Sequence, residues 1–170
     1  MEQKYIKYVN ELSKKLREKC GISIIQEIEE ERYYRIEYRA EDFKIEIEKY
    51  HREFYVSLYK INKYDDGINL FNLVEYLKRN DTNVPISKCF YKINDLEECY
   101  SEQFQEISEK FFDNYEAIRD FFSSDHFSEN RAKLILFRQN KYPEFYRKIG
   151  CPCPSNDPPP KNSESDMGSR

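Results

Sequence analysis

The chain has 170 residues, of which 39% are hydrophobic and 35% are charged, and its 28 basic and 32 acidic residues leave a net charge of −4. This length suits one domain, and 15 tyrosines with 12 phenylalanines supply enough apolar area for a core, which excludes a chain disordered throughout. No apolar run approaches the roughly 20 residues of a membrane span, and the start of the chain lacks the apolar block of a secretory signal. We therefore expect a soluble, cytoplasmic protein.

The first predicted element is an amphipathic helix over residues 4–19. Tyr8, Leu12 and Leu16 recur at helical spacing, and Gly21 follows where a left-handed cap would end the helix. Most charged residues between these positions are lysine or arginine, so the outer face of this helix should be basic.

Apolar and polar residues then alternate with a period of two. The runs 34–39, 43–48 and 54–59 each alternate cleanly, and an irregular strand over 22–28 precedes them. Such alternation is typical of antiparallel strands with one buried and one wet face. We expect a meander of three to four strands, with the mixed charges of the wet face pairing across neighbouring strands.

Helical patterns follow the strands. A helix should run from Ile68 to Asn80, a long helix should begin after Asn94, and a last helix should begin near Ser128 and be interrupted at Pro143. The order of helix, strands and helices predicts an α+β domain over residues 1–150, with an antiparallel sheet packed against helices.

The last twenty residues, 151–170, differ in composition from the rest. They hold five of the seven prolines and no aromatic residue, so they cannot bury enough apolar surface to fold. We expect a disordered, proline-rich tail. Because the preceding residues are rich in lysine, isoleucine and tyrosine, a further hypothesis is that this tail is not native.

The long helix predicted over residues 95–122 has two clean stripes on a helical wheel. One stripe is apolar and includes Leu96, Phe104 and Phe122. The opposite stripe consists of carboxylates, beginning at Asp95, and its candidate partner-binding residues are Glu98, Glu102, Glu106, Glu109, Asp113, Glu116 and Asp120. Like charges four residues apart destabilise a helix by about 0.2–0.5 kcal/mol per pair, so this stripe costs stability.

Charge is concentrated on this part of the chain. Residues 94–130 carry eleven acidic and two basic residues, whereas residues 131–150 carry six basic and one acidic residue. One interpretation is that the acidic stripe is a solvated surface or docks on the basic first or last helix. The other is that it binds a basic protein, for instance a cleft made for nucleic acid, because a row of carboxylates can imitate a row of phosphates.

Residues typical of catalysis or cofactor binding are sparse. Five scattered cysteines do not indicate a disulfide framework, and Cys151 and Cys153 lack nearby residues to complete a metal site. We expect no cofactor, no metal and no catalytic residue; His51 and His126 should lie in surface turns, but a deep polar pocket around either would favour an enzyme. Tyr55 and Tyr59 suit a second packing layer at least as well as a stacking platform, so we expect no nucleic acid as a partner. The lysine-rich first helix lacks tryptophan and a strong apolar face, so we expect no membrane as a partner.

Two runs of the sequence carry a resemblance to a known class of protein. They are YYRIEYRAEDFKIEIEKYHREFYVSLYKI at 33–61 and NDLEECYSEQFQEISEKFFDNYEAIRD at 94–120. With its length and aromatic, acidic character, the chain resembles the small immunity proteins of bacterial polymorphic-toxin and contact-inhibition systems. This resemblance implies a cytosolic, non-enzymatic inhibitor that binds one cognate toxin domain. The alternative is a small enzyme or regulatory domain with an unrecognised site.

Overall fold

The computed structural model describes residues 4–31, 33–63, 67–82, 90–123 and 125–148. The chain forms two compact units, Met1–Leu134 and Ile135–Arg170, which are taken in turn. The predicted disordered tail at 151–170 lies outside the described residues, and the single domain over 1–150 stays a prediction.

The first unit begins with a helix, continues with five strands and ends with helices. The elements are α1 Ile6–Cys20, β1 Ser23–Glu29, β2 Tyr34–Arg39, β3 Phe43–Tyr50, β4 Glu53–Lys60, β5 Ile68–Asn69, α2 Leu70–Leu77, the 3₁₀ turn Phe90–Lys92, α3 Leu96–Phe112, α4 Tyr115–Phe122 and the first part of α5 Phe127–Lys141. The α+β class with an antiparallel sheet is confirmed. None of the helices described combines the length and apolar character of a membrane span.

The strands form one antiparallel sheet in the order β1-β2-β3-β4-β5. The sheet has five strands rather than the three to four predicted, because Ile68 and Asn69, the first residues of the predicted second helix, form the two-residue strand β5. Asn69 pairs with Ser57 in β5, and its side chain also accepts hydrogen bonds from the first backbone N–H groups of α2. A two-residue strand leaves no period-two pattern in the sequence.

Helices α1, α2 and α3 contact one face of the sheet. As predicted for α1, Leu12 and Leu16 are buried, and Gly21 ends the helix with a φ of 67°. A cluster of edge-to-face rings joins α1, the sheet and α3, with centroid separations of 5.1–5.9 Å among Tyr5, Tyr34, Phe54 and Tyr100. Aromatic residues therefore supply much of the core, as the composition suggested.

Helix α4 is fixed to the sheet at its C-terminal end. Lys60 of β4 donates through Nζ to the backbone carbonyl of Phe122 at 2.6 Å and also contacts Asp42 at 3.1 Å. The Phe122 ring is fully buried and lies 5.2 Å from the ring of Phe43. A cation beside the last carbonyls of a helix is stabilising, so Lys60 helps to fix the C-terminal end of α4.

The described part of the second unit comprises the end of α5 and α6 Pro143–Lys148. The predicted interruption at Pro143 is confirmed, since this proline begins a new helix. The Arg138 guanidinium lies 5.0 Å from the centroid of the Tyr142 ring. Leu136 and Phe145 are about half exposed.

Candidate functional site

Helix α3 begins one residue later than the sequence suggested. The predicted cap was Asn94, but Asp95 has extended backbone and its carboxylate accepts a hydrogen bond from the Glu98 backbone N–H at 2.8 Å. A carboxylate at this position satisfies an otherwise unpaired N–H and complements the positive end of the helix dipole. Asp95 therefore caps α3 and has a structural role within the acidic segment, residues 94–130.

The prediction of a single long helix over residues 95–122 is wrong, because α3 ends at Phe112 and α4 begins at Tyr115. Asn114 lies at the break and is buried, and its side chain donates to the Lys110 carbonyl at 2.8 Å. A side chain that bonds to the main chain in this way competes with the regular helical ladder. One helical wheel therefore does not describe the arrangement of all seven predicted carboxylates.

Helix α1 lies beside α3 and runs in the same direction. Near the start of both helices, Lys7 forms a salt bridge with Glu97, and the Tyr8 ring stacks on Phe104 at 6.1 Å between centroids. At their far ends, Lys19 lies 5.2 Å above the centre of the Phe112 ring. Hydrogen bonding from Lys7 lowers the pKa of the Glu97 carboxyl. The contact between a basic helix and the acidic segment thus exists, but it uses Glu97, which is outside the predicted set.

The seven predicted partner-binding residues do not all lie on the surface. Glu106 is only 6% exposed, and Glu102 is half-buried. Glu106 falls beside the buried residues Gln103 and Ile107 of α3, so its side chain does not belong to the exposed surface of the helix. The other five are exposed and are called the acidic face: Glu98, Glu109, Asp113, Glu116 and Asp120.

Within the described part of the chain, the acidic face is little neutralised. Glu116 pairs with Arg119 at 2.6 Å, and Glu109 accepts a hydrogen bond from the Gln105 side chain at 2.9 Å. No described lysine or arginine of α1 pairs with any of the five carboxylates. Docking on the first helix therefore does not account for this surface.

One polar residue of α3 lies inside the apolar stripe and was missed by the sequence reasoning. Gln103 is 3% exposed; its Oε1 accepts from the Phe54 backbone N–H at 2.9 Å, and its Nε2 donates to the Arg52 carbonyl at 2.9 Å. The side chain thereby bonds to the edge of β4 as one residue of a neighbouring strand would, at a point that the short β5 does not reach. In the sequence, the available signal for this role was a polar glutamine among the apolar residues of the stripe, between Tyr100 and Ile107.

A pocket of about 280 Å³ lies between the β3–β4 turn, the 3₁₀ turn and the start of α3. It is called the hairpin pocket, and its lining residues are Tyr50, His51, Arg52, Glu53, Tyr55, Phe90 and Cys99. Three of these residues are tyrosine or phenylalanine, and Tyr50 and Tyr55 are 65% and 44% exposed. The sequence contains no contiguous motif for this site, because its residues come from three separate segments.

The polar groups of the hairpin pocket are held in place. Arg52 donates through Nη2 to the Ile93 carbonyl, and the Tyr55 hydroxyl donates to the Glu53 carboxylate at 2.6 Å. That hydrogen bond raises the pKa of the Tyr55 phenol. His51 has a φ of 54°, a backbone conformation that non-glycine residues adopt infrequently, and its imidazole lies edge-on to the Tyr50 ring at 4.4 Å. The pocket therefore has preset walls.

The opposite face of the sheet carries a second charged cluster. Glu37 and Glu46 lie directly across from each other on β2 and β3 and are 4% and 8% exposed. Arg35 contacts both carboxylates, Lys44 contacts Glu37 at 3.2 Å, and the Tyr59 hydroxyl donates to Glu46 at 2.8 Å. The predicted pairing of charges across strands is confirmed.

Burial and hydrogen bonding shift the pKa of the Glu37 carboxyl in opposite directions. Burial disfavours the charged form of Glu37, but hydrogen bonds from Arg35 and Lys44 outweigh it and hold the pKa of this carboxyl below its usual value. Burial, together with the hydrogen bond to Glu46, raises the pKa of Tyr59 to about 12. Both carboxylates are therefore held by neighbouring side chains, and Tyr59 is fixed rather than presented as a free stacking ring.

The histidines and cysteines are the remaining candidate residues. His51 and His126 are both exposed, and the described part of the chain contains no cluster of three or more histidine, cysteine, aspartate or glutamate side chains that could hold a metal ion. Cys20 and Cys99 are free thiols. Comparison with family models, with curated proteins and with solved structures found no match for this chain.

Proposed function

We propose that this protein is a non-enzymatic inhibitor that binds one basic protein partner through the acidic face, in the manner of an immunity protein that neutralises a cognate toxin. The observation that carries the proposal is the exposure of five carboxylates on two consecutive helices, with Arg119 and Gln105 as their described partners. A surface of one sign of charge is retained at a cost in stability, which favours a role in binding.

The physical advantage of such a surface is rapid and selective association. Electrostatic steering raises association rates by about 10- to 1,000-fold at low salt, and a basic cleft made for nucleic acid is complementary to a row of carboxylates. An inhibitor that must reach its target before damage occurs gains most from this effect. The proposal accordingly predicts a complex that weakens as salt increases.

The test is a charge-reversal experiment with a matched control. In one variant Glu98, Asp113 and Asp120 are changed to lysine; in the control, Glu11, Glu30 and Glu31, exposed carboxylates on α1 and in the β1–β2 turn, are changed in the same way. Both variants carry the same change in net charge, so a difference between them reports position. Both must retain the circular dichroism spectrum of the parent.

Capture of a partner from source-cell lysate is then compared, followed by neutralisation of the isolated partner. We expect the parent and the control to capture one basic protein at about 0.05 M salt and to lose it progressively towards about 0.5 M, and the acidic-face variant to fail. Equal capture by all three proteins would place the interface elsewhere. If the captured protein keeps its full activity in the complex, inhibition is refuted although binding is not.

The hairpin pocket is the observation that favours the second candidate, a small enzyme or regulatory domain. His51 lines it and is one of the two histidines around which a deep polar pocket would favour an enzyme, but this pocket is mostly apolar. Against this, a general base needs a positioned hydrogen-bond partner, and among the described contacts His51 uses its ring only against Tyr50. A small molecule that raises the melting temperature of the parent but not of His51→Gln would support the second candidate.

A further inference from the structure

We infer that the hairpin pocket binds a cationic side chain, arginine or lysine, presented by the basic partner. The inference rests on the proposed function for the source of the cation, but the affinity of the pocket for a cation stands on its own chemistry. It adds a specific anchor to a surface that otherwise attracts a partner only by net charge.

The first argument is the combination of rings and carboxylate. Tyr50, Tyr55 and Phe90 surround a volume of about 280 Å³, and the Glu53 carboxylate lies within the same lining. Aromatic faces attract cations, and a guanidinium can stack on a ring while its N–H groups reach a carboxylate. The volume exceeds what one such side chain occupies, so entry needs no rearrangement of the core.

The second argument is that the guanidinium of the lining is fixed by a hydrogen bond and does not move into the pocket to pair with Glu53. Arg52 is the one arginine among the lining residues, and its guanidinium donates to the Ile93 carbonyl. Its main-chain carbonyl is held in turn by Gln103 at 2.9 Å. Arg52 is therefore held from two sides, with its Nε buried and without a hydrogen-bond partner. Tyr50 and Tyr55 are exposed, and the half-buried Glu53 carboxylate, which accepts one hydrogen bond from Tyr55, has further acceptor sites for an entering cation.

The third argument is preorganisation next to the acidic face. The β3–β4 turn is closed by the pairing of Tyr50 with Glu53 and holds His51 at a φ of 54°. Cys99, which lines the pocket, follows Glu98, the first residue of the acidic face, on α3. A rigid pocket beside a charged surface matches the usual division between a buried anchor and a charged rim at protein interfaces.

The test uses short peptides and does not need the partner. The full chain is labelled with ¹³C in its tyrosine rings and titrated with acetyl-Gly-Arg-Gly-amide, with the matched citrulline peptide as a neutral isostere and an aspartate peptide as an anion. We expect the ring signals of Tyr50 and Tyr55 to shift with the arginine peptide at up to about 20 mM. The Tyr38 ring, which is fully buried in the core of the sheet, serves as the reference signal that should not move.

Two variants identify the groups involved. Glu53→Gln removes the carboxylate charge and should weaken binding of the arginine peptide about fivefold; Tyr50→Ala, at a ring that is 65% exposed and so of little weight in folding, should weaken it similarly. Glu41→Gln, an exposed carboxylate elsewhere, is the control and should leave binding unchanged.

Three outcomes overturn the inference. Equal shifts with the citrulline peptide would mean that charge plays no part, shifts with the aspartate peptide alone would assign the pocket to an anion at Arg52, and absence of shifts with every peptide would mean that the pocket is not a binding site. Failure here is separable from failure of the proposed function, because partner capture by the acidic face is measured with variants that leave Tyr50 and Glu53 intact.

Discussion

Replacing Gln103 with leucine should destabilise the protein, although Gln103 lies within the apolar stripe of α3, where a leucine would be expected to fit. Leucine has a similar volume and a higher preference for apolar surroundings, so the substitution tests the hydrogen bonds alone. It removes the acceptor for the Phe54 N–H and the donor for the Arg52 carbonyl, both at 2.9 Å in the native protein. The two main-chain groups then face an apolar side chain.

The magnitude follows from those two groups. Leaving a buried donor or acceptor without a partner costs about 1–3 kcal/mol, and the gain from burying leucine offsets part of the sum, so we expect a loss of about 2–4 kcal/mol in the free energy of unfolding. With a urea dependence of about 2 kcal/mol per molar, the midpoint should fall by about 1–2 M. Gln103→Glu should be destabilised at neutral pH and recover in acid, because only the protonated carboxyl can donate to the Arg52 carbonyl.

Urea unfolding followed by circular dichroism measures these changes. Gln105→Leu is the matched control, since Gln105 is exposed and its side chain contacts Glu109, and its stability should stay within about 0.5 kcal/mol of the parent. If Gln103→Leu were as stable as Gln105→Leu, the view that this side chain completes the edge of β4 would be refuted.

Three further substitutions test other parts of the structure. Glu37→Gln should lower the free energy of unfolding by about 1–3 kcal/mol at neutral pH. Because the folded pKa of Glu37 is lowered, the difference in stability between parent and variant should be complete above the ordinary glutamate pKa and vanish as pH falls through the folded value. A difference that grows in acid would contradict the assigned ion pairs. Gly67→Ala should destabilise by about 1–3 kcal/mol in thermal unfolding, since a Cβ there would lie 2.5 Å from the Tyr59 ring; a neutral result would mean that the ring yields freely. His51→Gly should raise stability by about 1 kcal/mol in urea unfolding by relieving the left-handed backbone; a loss instead would show that the contact with Tyr50 outweighs the strain.

The sequence by itself determined the α+β class, the first helix with its Gly21 cap and the interruption at Pro143. These features depend on local chemistry: apolar residues recur at the period of the element, glycine tolerates a positive φ, and proline cannot continue a helix. The three alternating strands were found for the same reason, and their cross-strand charges pair as expected.

Tertiary structure decided which polar residues are surface and which are interior. A helical wheel sorts residues by angle, but burial depends on how far the packed neighbours extend, so Glu106 is buried although it belongs to the same stripe as Glu98. The break at Asn114 depends on a side-chain hydrogen bond that competes with the helix. Likewise, β5 exists because it pairs with β4, and the hairpin pocket exists because three distant segments meet. Contacts between residues far apart in the chain leave no local pattern in the sequence. For that reason the sequence predicted that carboxylates line one face of a helix, but not which of them are exposed.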